Sequence, residues 1–155
     1  LVVLLDTWLM LARDDVRVLE ESHRRWFNAL ALAAYGGTAV AVGDPATLQP
    51  LVRADPAGVA VAELADRAQT HLPPIGRLGT IDGPAADLQP LITATWTPNT
   101  EVLGPVPLDA ERERLILRAP RREGLALAAE LKAMAAARSA AKQPPLRIHI
   151  DPAVL

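Results

Sequence analysis

The fold is decided by residues 72–155, which read LPPIGRLGTIDGPAADLQPLITATWTPNTEVLGPVPLDAERERLILRAPRREGLALAAELKAMAAARSAAKQPPLRIHIDPAVL. Hydrophobic periodicity divides this stretch into strand, helix and strand, twice in succession. The predicted elements are strands at 76–81, 102–107, 112–118 and 146–150, with helices at 84–94 and 120–138. Isolated helices of this length are marginal, so both must pack on the sheet. We therefore predict an α+β domain of the ferredoxin-like, βαββαβ kind, with both helices on one face of a four-stranded antiparallel sheet.

The core of this predicted domain consists of apolar side chains from both helices and from the last two strands. Their spacing follows a period near four in the helices and a period of two in the strands. The predicted core residues are Leu88, Leu91, Ile92, Leu115, Leu117, Leu127, Leu131, Met134, Ile148 and Ile150.

Residues 1–71 show a different pattern, which we interpret as an α/β fragment. It contains two predicted buried strands, at 1–5 and 38–42, and three helices, from Asp14-Asp15 to Tyr35, at 45–52 and at 56–69. His23 lies on the apolar stripe of the first helix and is expected to be a packed residue. The Pro73-Pro74 pair stops the last helix. We therefore predict two domains, 1–71 and 72–155, and expect the first to be the end of a larger lobe in a longer protein.

The composition limits the classes of function. The chain has 155 residues, a formal net charge of −2 and no cysteine. Disulfides and thiolate metal sites are therefore excluded, and the overall charge gives no general attraction to nucleic acid or membranes. The apolar run at 1–5 is too short for a signal peptide or a membrane span. No phosphate loop, zinc spacing or nucleophile elbow is present, so we assign neither catalytic nor metal-binding residues.

A cluster of cations is predicted on the sheet face opposite the helices. Alternation along 112–118 and 146–150 places Arg114, Arg118, Arg147 and His149 there, and Arg77 can join them. Clustered arginine is typical of nucleic-acid contact, although an ordinary solvated sheet face accounts for the pattern equally well. No aromatic residue stands on these strands, which argues against base stacking of the RNA-reading type.

Three motifs resemble the replication-restart primosomal protein N′ (PriA) family. A helix with Glu63, Leu64 and Arg67 precedes the Pro-Pro junction. The block at 102–107 reads VLGPVP, and the block at 148–152 reads IHIDP. Their order and separation are similar to those in that family over nearly the whole chain.

The resemblance implies a superfamily-2 DNA helicase that binds stalled or abandoned replication forks and reloads the replisome. Residues 1–71 would then end the second, RecA-like helicase lobe. The last domain would hold branched DNA, dock the acidic tail of the single-stranded-DNA-binding protein and work with other primosome proteins in the cytoplasm, without a membrane partner. ATP, magnesium and zinc would belong to upstream parts of the protein, and none to this fragment.

One departure from the family concerns ATP hydrolysis. The family carries an ATPase motif, Gln-x-x-Gly-Arg-x-x-Arg, whose arginines would stabilise charge on the transferring phosphate. The matching stretch is 28–35, where Leu32 and Tyr35 replace both arginines. We therefore expect a degenerate, actinobacterial-like form that lacks ATPase activity.

A second set of site residues follows from the resemblance. In the family an arginine at the start of the last helix grips the partner's acidic C-terminus. Arg121 matches that position, Arg122 lies beside it, and a glutamine of the same pocket is replaced by Leu125. The alternative interpretation is that Arg121 and Arg122 are ordinary solvated residues in the first turn of the helix.

Three hypotheses for function follow. The first is a DNA-binding and protein-interaction part of a replication-restart protein that does not hydrolyse ATP. The second is part of an active ATP-dependent 3′–5′ DNA helicase. The third is a ferredoxin-like regulatory domain that binds a small ligand.

Overall fold

A computed structural model describes all residues from Leu1 to Leu155. The chain divides into two compact units, Leu1–Asp66 with Ala153–Leu155, and Arg67–Pro152. The division falls within a helix, a few residues before the predicted boundary at the Pro73-Pro74 pair. None of the helices is long and apolar enough to cross a membrane.

The first unit contains a small parallel sheet and several helices. Strands β1 and β2 pair in parallel, with Val2 opposite Ala39 and Leu4 opposite Ala41. The elements in chain order are β1 (Val2–Leu4), α1 (Thr7–Leu11), α2 (Val18–Leu30), β2 (Ala39–Ala41), α3 (Pro45–Val52) and α4 (Pro56–Thr70), the last of which continues into the second unit.

Capping explains where the last two helices of this unit begin. The Asp44 carboxylate accepts a hydrogen bond from the Thr47 backbone N–H at 2.8 Å, and a proline follows at the first helical position. The Asp55 carboxylate does the same for Gly58, also at 2.8 Å. An acceptor before the first turn satisfies an N–H that has no partner inside the helix. Both predicted helix starts are confirmed.

The core of the first unit forms where α2 packs on α3. Trp26, Leu48 and Leu51 are buried together. His23 is buried beside Trp26, and its ring lies between two backbone carbonyls, 3.0 Å from the oxygen of Leu19 and 3.0 Å from that of Thr47. This confirms the prediction that His23 is a packed residue, and it ties α2 to α3.

Three predictions for the first unit are wrong in detail. Helix α2 begins at Val18 and ends at Leu30, because Asp15 caps a preceding turn through the Arg17 N–H and single turns follow Leu30. The short helix α1 was not predicted, since five residues carry too little periodicity. Strand β2 is exposed throughout and β1 is only half-buried, so neither is the buried strand that its apolar sequence predicts.

The second unit is a four-stranded antiparallel sheet with two helices. Its strands lie in the order β4-β5-β3-β6, and every neighbouring pair is antiparallel. The elements are β3 (Gly76–Gly83), α5 (Ala85–Ile92), β4 (Glu101–Pro107), β5 (Glu113–Pro120), a 3₁₀ turn (Arg121–Glu123), α6 (Gly124–Ala140) and β6 (Arg147–Ile150). All six predicted elements are present within a few residues of their predicted bounds.

Both helices of this unit cover the same sheet face. Leu88 of α5 and Leu127 of α6 are buried in one cluster with Ile81, Leu115 and Leu117 of the central strands. Ile81 lies opposite both Leu115 and Ile148, so these three side chains share a face. The prediction that both helices lie on one face is therefore confirmed.

One residue of the predicted core lies outside it. Ile150 is 46% exposed, because it ends the edge strand β6 and lies opposite Gly79, which offers no side chain to pack against. The remaining predicted core residues are buried or packed against the buried cluster.

Candidate nucleic-acid and partner interface

The sheet face opposite the helices carries four of the five predicted cations. Side chains of directly opposed residues in a sheet share a face. Arg114 and Arg147 both lie opposite Asp82, and His149 lies opposite Thr80. Arg118 lies opposite Leu78 on one side and Glu101 on the other. These positions alternate with the buried Leu115 and Leu117, which places the four cations on one face, as predicted.

Arg114 is held by a carboxylate. Its Nε and Nη2 donate to the two oxygens of Asp82 at 2.7 and 2.8 Å. The side chains are only 12% and 3% exposed. The hydrogen bond to Asp82 raises the pKa of Arg114, so its charge is firmly retained but locally neutralised. Arg114 therefore contributes little net positive potential to this face.

Arg118 is also paired, at the other end of β5. Its guanidinium donates to the Glu101 carboxylate, with an Nε to Oε2 distance of 3.1 Å, and to the Thr70 carbonyl at 2.8 Å. The hydrogen bond from Arg118 lowers the pKa of Glu101. His71 stands 3.8 Å from the same carboxylate and adds to that effect. The pair borders an open cavity of about 320 Å³ lined in part by Ile75 and Asn99.

Arg147 and His149 differ from these two arginines. Both are exposed on β6, the edge strand, and neither side chain makes a hydrogen bond or ion pair with another residue. A guanidinium without a carboxylate partner, such as that of Arg147, keeps its full attraction for an anion. Of the four basic side chains on this face, Arg147 and His149 are the ones still available to a ligand.

Arg77 lies on the opposite sheet face, which corrects its predicted placement. It is opposite Ala119, which is buried under the helices. Its guanidinium pairs with the Asp151 carboxylate, and its side chain passes so close to Gly124 that an added Cβ there would lie 2.6 Å from its Cγ. The reason is that β3 is buried on both faces, so alternation in its sequence does not identify the face of Arg77.

The second predicted set lies at the start of α6. Arg121 and Arg122 form the 3₁₀ turn that precedes the helix, and Leu125 follows in the first helical turn. Arg122 bonds to the neighbouring Glu123 at 3.2 Å and remains 75% exposed. Arg121 is exposed and makes no ion pair, and Leu125 is 89% exposed. The three side chains are thus brought together on an accessible surface.

Residues 28–35, which the sequence resemblance aligns with the family's ATPase motif, lie at the end of α2 and in the turns that follow it. The helix stops at Leu30, so Leu32 and Tyr35 occupy the turns that follow, and both are largely exposed. No group of three or more His, Cys, Asp or Glu side chains converges to hold a metal ion.

The second unit is thus a mixed α/β domain that displays arginines on a sheet edge and at a helix start. Residues 68–153 match the family model described as "Primosomal protein N C-terminal domain", and the chain belongs to this family. The predicted family membership is confirmed.

The chain is also similar to longer mycobacterial proteins named "Probable replication restart protein PriA". It is 36% identical to that of Mycobacterium tuberculosis strain H37Rv over 176 aligned residues, which cover 97% of this chain and 27% of the relative. It is 37% identical to that of Mycobacterium leprae strain TN, with 97% and 26% covered. The chain therefore spans about a quarter of the length of these relatives.

Proposed function

We propose that this chain is the DNA-binding and partner-binding part of a replication-restart protein that acts at stalled or abandoned forks. Membership of the primosomal protein family carries this proposal, and the names of the mycobacterial relatives support it. We further propose that its second unit is ferredoxin-like, since a βαββαβ chain with the strand order β4-β5-β3-β6 has that topology. Residues 1–71 would then end a RecA-like helicase lobe.

The DNA contact is proposed at β6. Arg147 and His149 are exposed and unpaired there, whereas Arg114 and Arg118 are bound to carboxylates. Phosphate groups are attracted by cations whose charge is not already compensated. We therefore place the DNA backbone along the β6 edge. That Arg77, Arg114 or Arg118 touches DNA stays a prediction.

Fluorescence anisotropy with labelled forked DNA tests this contact. Arg147→Ala should weaken binding and reduce the slope of log affinity against log salt by about 1, as expected for one lost phosphate contact. Arg53→Ala is the matched control, because Arg53 is an exposed arginine in the first unit. Equal salt slopes for the two variants would contradict the proposed contact.

The partner contact is proposed at the start of α6. The acidic C-terminal tail of the single-stranded-DNA-binding protein would dock there, with its terminal carboxylate on Arg121 and an apolar side chain against Leu125. Charge-assisted hydrogen bonds from arginine to carboxylate are strong and directional. The exposure of Arg121 and Leu125 supports this proposal, because both groups are accessible to a peptide.

Binding of a labelled tail peptide tests the partner contact. Removing a charge-assisted pair typically costs about 1.5–3 kcal/mol, so Arg121→Ala should reduce affinity roughly ten- to a hundredfold at low salt. Arg122→Ala should have a smaller effect, because Arg122 already bonds to Glu123. If Arg121→Ala binds as tightly as wild type, Arg121 is only a solvated helix-start residue.

A further inference from the structure

The outer edge of β6 has no partner strand. The sheet ends at β6, and the Asp151 N–H donates to the Leu78 carbonyl at 2.8 Å. Hydrogen-bonded pairs alternate along an antiparallel ladder. Asp151, His149 and Arg147 therefore point their backbone groups toward β3, while Ile148 and Ile150 point theirs away from the sheet. No hydrogen bond satisfies these outward groups, so they are open to an additional strand.

The opposite edge of the sheet is closed to such an addition. Strand β4 contains Pro105 and Pro107, which have no backbone N–H, and its pairing with β5 is irregular between Leu103 and Val106. Prolines and bulges of this kind protect edge strands from pairing with other chains. Strand β6 contains neither, which makes it the single edge of this sheet that can accept an extended segment.

An apolar groove lies beside β6 on the helix side. It has a volume of about 300 Å³, and its apolar walls come from Met134, Leu146 and Ile148. The polar side chains of Arg138, Ser139 and Lys142 also line it. Every second side chain of a strand added to β6 would point to this side. The groove therefore suits apolar residues at alternate positions, and the flexible Met134 side chain can adapt to their shape.

On the other face of the sheet, charge determines which side chains of an added strand fit beside β6. Arg147 and His149 are exposed there without a side-chain partner, and the two nearby carboxylates are occupied, Asp82 by Arg114 and Asp151 by Arg77 and the Leu78 N–H. Cross-strand pairs of opposite charge stabilise a sheet, and like charges directly opposed destabilise it. Carboxylates therefore fit the positions of the added strand that face Arg147 and His149.

These observations point to one kind of binding partner for the open edge of β6. We propose that β6 accepts, as a fifth strand, an extended segment of a partner protein in which acidic and apolar residues alternate. Backbone pairing with Ile148 and Ile150 would supply affinity, and the groove and the two basic side chains would supply specificity. A second copy of β6 fits less well, since the one carboxylate it brings, Asp151, is already held by Arg77 and the Leu78 N–H.

This site is separate from the proposed tail contact at Arg121 and Leu125, which lies at the other end of α6. It shares Arg147 and His149 with the proposed DNA contact. The acidic segment and DNA should therefore exclude each other at β6. The peptide site does not depend on the DNA proposal, because its defining feature is the open backbone of Ile148 and Ile150, which carries no charge.

The test uses a fluorescein-labelled octapeptide of alternating glutamate and valine, titrated with the full chain. Two matched peptides carry N-methyl groups, one on all valines and the other on all glutamates, so that each peptide loses the N–H groups along one of its two edges. If the added strand is antiparallel to β6, methylation of the valines should reduce binding at least tenfold and methylation of the glutamates should leave it nearly unchanged. If the strand is parallel to β6, the effects of the two peptides should be reversed. Equal binding of all three peptides, or no binding of any, would overturn the proposal.

Variants of the chain separate this site from the DNA contact. Ile148→Pro removes one outward N–H from an edge strand, where proline is tolerated. It should weaken peptide binding at least tenfold and leave forked-DNA binding unchanged, whereas Ile148→Val should change neither. Arg147→Glu should weaken both, which keeps the test informative if Ile148→Pro does not fold. Loss of DNA binding in Ile148→Pro, or a dimer in sedimentation that this variant abolishes, would overturn the acidic-segment proposal.

Discussion

Asp82 and Arg114 lie opposite each other on the two central strands, and both oxygens of the Asp82 carboxylate accept hydrogen bonds from the one guanidinium. Asp82 is almost completely buried in this pair. Arg114, which the sequence pattern assigns to DNA contact, thus forms an ion pair inside the domain. The pair also explains how a charged residue can occupy a buried position near the end of β3 without destabilising it.

Asp82→Ala should therefore destabilise the second unit strongly. Removing one member of a buried pair leaves the other charge uncompensated, which typically costs about 3–5 kcal/mol. Urea denaturation followed by circular dichroism measures the loss. The control is Asp109→Ala, which breaks the exposed pair with Arg112 and should change stability far less. If both variants lose a similar amount of unfolding free energy, burial does not strengthen the contribution of the Asp82–Arg114 pair.

Asp151→Ala should loosen the start of β3. The Asp151 carboxylate accepts a hydrogen bond from the Leu78 N–H at 3.0 Å and pairs with Arg77. Hydrogen bonds to charged groups contribute about 1.5–3 kcal/mol, and we expect a loss near the lower figure because Arg77 is partly exposed. Amide hydrogen exchange at Leu78 reports the change directly. Asp151→Asn keeps an acceptor for Leu78 and should protect that amide better than alanine does.

Acidification should break the contact between Glu101 and Arg118. The hydrogen bond from Arg118 lowers the pKa of Glu101 below its ordinary value of 4.5. A carboxyl whose pKa is depressed by folding stabilises the folded state above its unfolded pKa. That contribution is lost as the pH falls through the lower, folded value.

The pKa of Glu101 can be measured by NMR titration. Arg118→Gln should raise it toward 4.5, because the main hydrogen-bond donor is gone. Glu21 serves as an internal control, since hydrogen bonds from Arg24 and Arg25 hold its pKa at about 2, and it should not respond to this substitution. An unchanged Glu101 titration in Arg118→Gln would show that the pair does not form in solution.

ATP turnover tests the proposed loss of catalysis. A protein of the relatives' full length that carries this chain should hydrolyse ATP far more slowly than the usual enzyme range of about 1–10³ per second, with or without forked DNA. The reason is that, in the alignment implied by the family resemblance, Leu32 and Tyr35 replace the arginines of the ATPase motif. Apolar or phenolic side chains cannot stabilise charge on a transferring phosphate. A DNA-stimulated rate within that range would refute the proposal.

The elements of the second unit could be predicted because each follows from local sequence. The period of two in β5, for example, is visible within a few residues. The capping residues of α3 and α4 in the first unit act over a similarly short range, but the rest of that unit was harder to predict. Helix α1 has only five residues, and the apolar sequence of β2 indicates burial that the structure does not show.

Side-chain partners on the candidate site could not be predicted, because they depend on strand register. Asp82 and Arg114 are 32 residues apart, and Arg77 and Asp151 are 74 residues apart. Local periodicity identifies the face that Arg114, Arg118 and Arg147 occupy, but it does not reveal which carboxylate lies across the sheet. Once the register is known, Arg147 and His149 are the members of the predicted group whose side chains have no partner.

The hydrogen bond between Leu78 and Asp151 has a further consequence for protein engineering with the second unit. The sheet of this unit begins at Gly76, just before Leu78, and its last strand ends just before Asp151, so the two ends of the sheet are held side by side. Domains whose ends lie close together tolerate transplantation into a loop of an unrelated host and circular permutation. The part of the second unit from Gly76 to Pro152 could therefore be grafted as one piece into another protein.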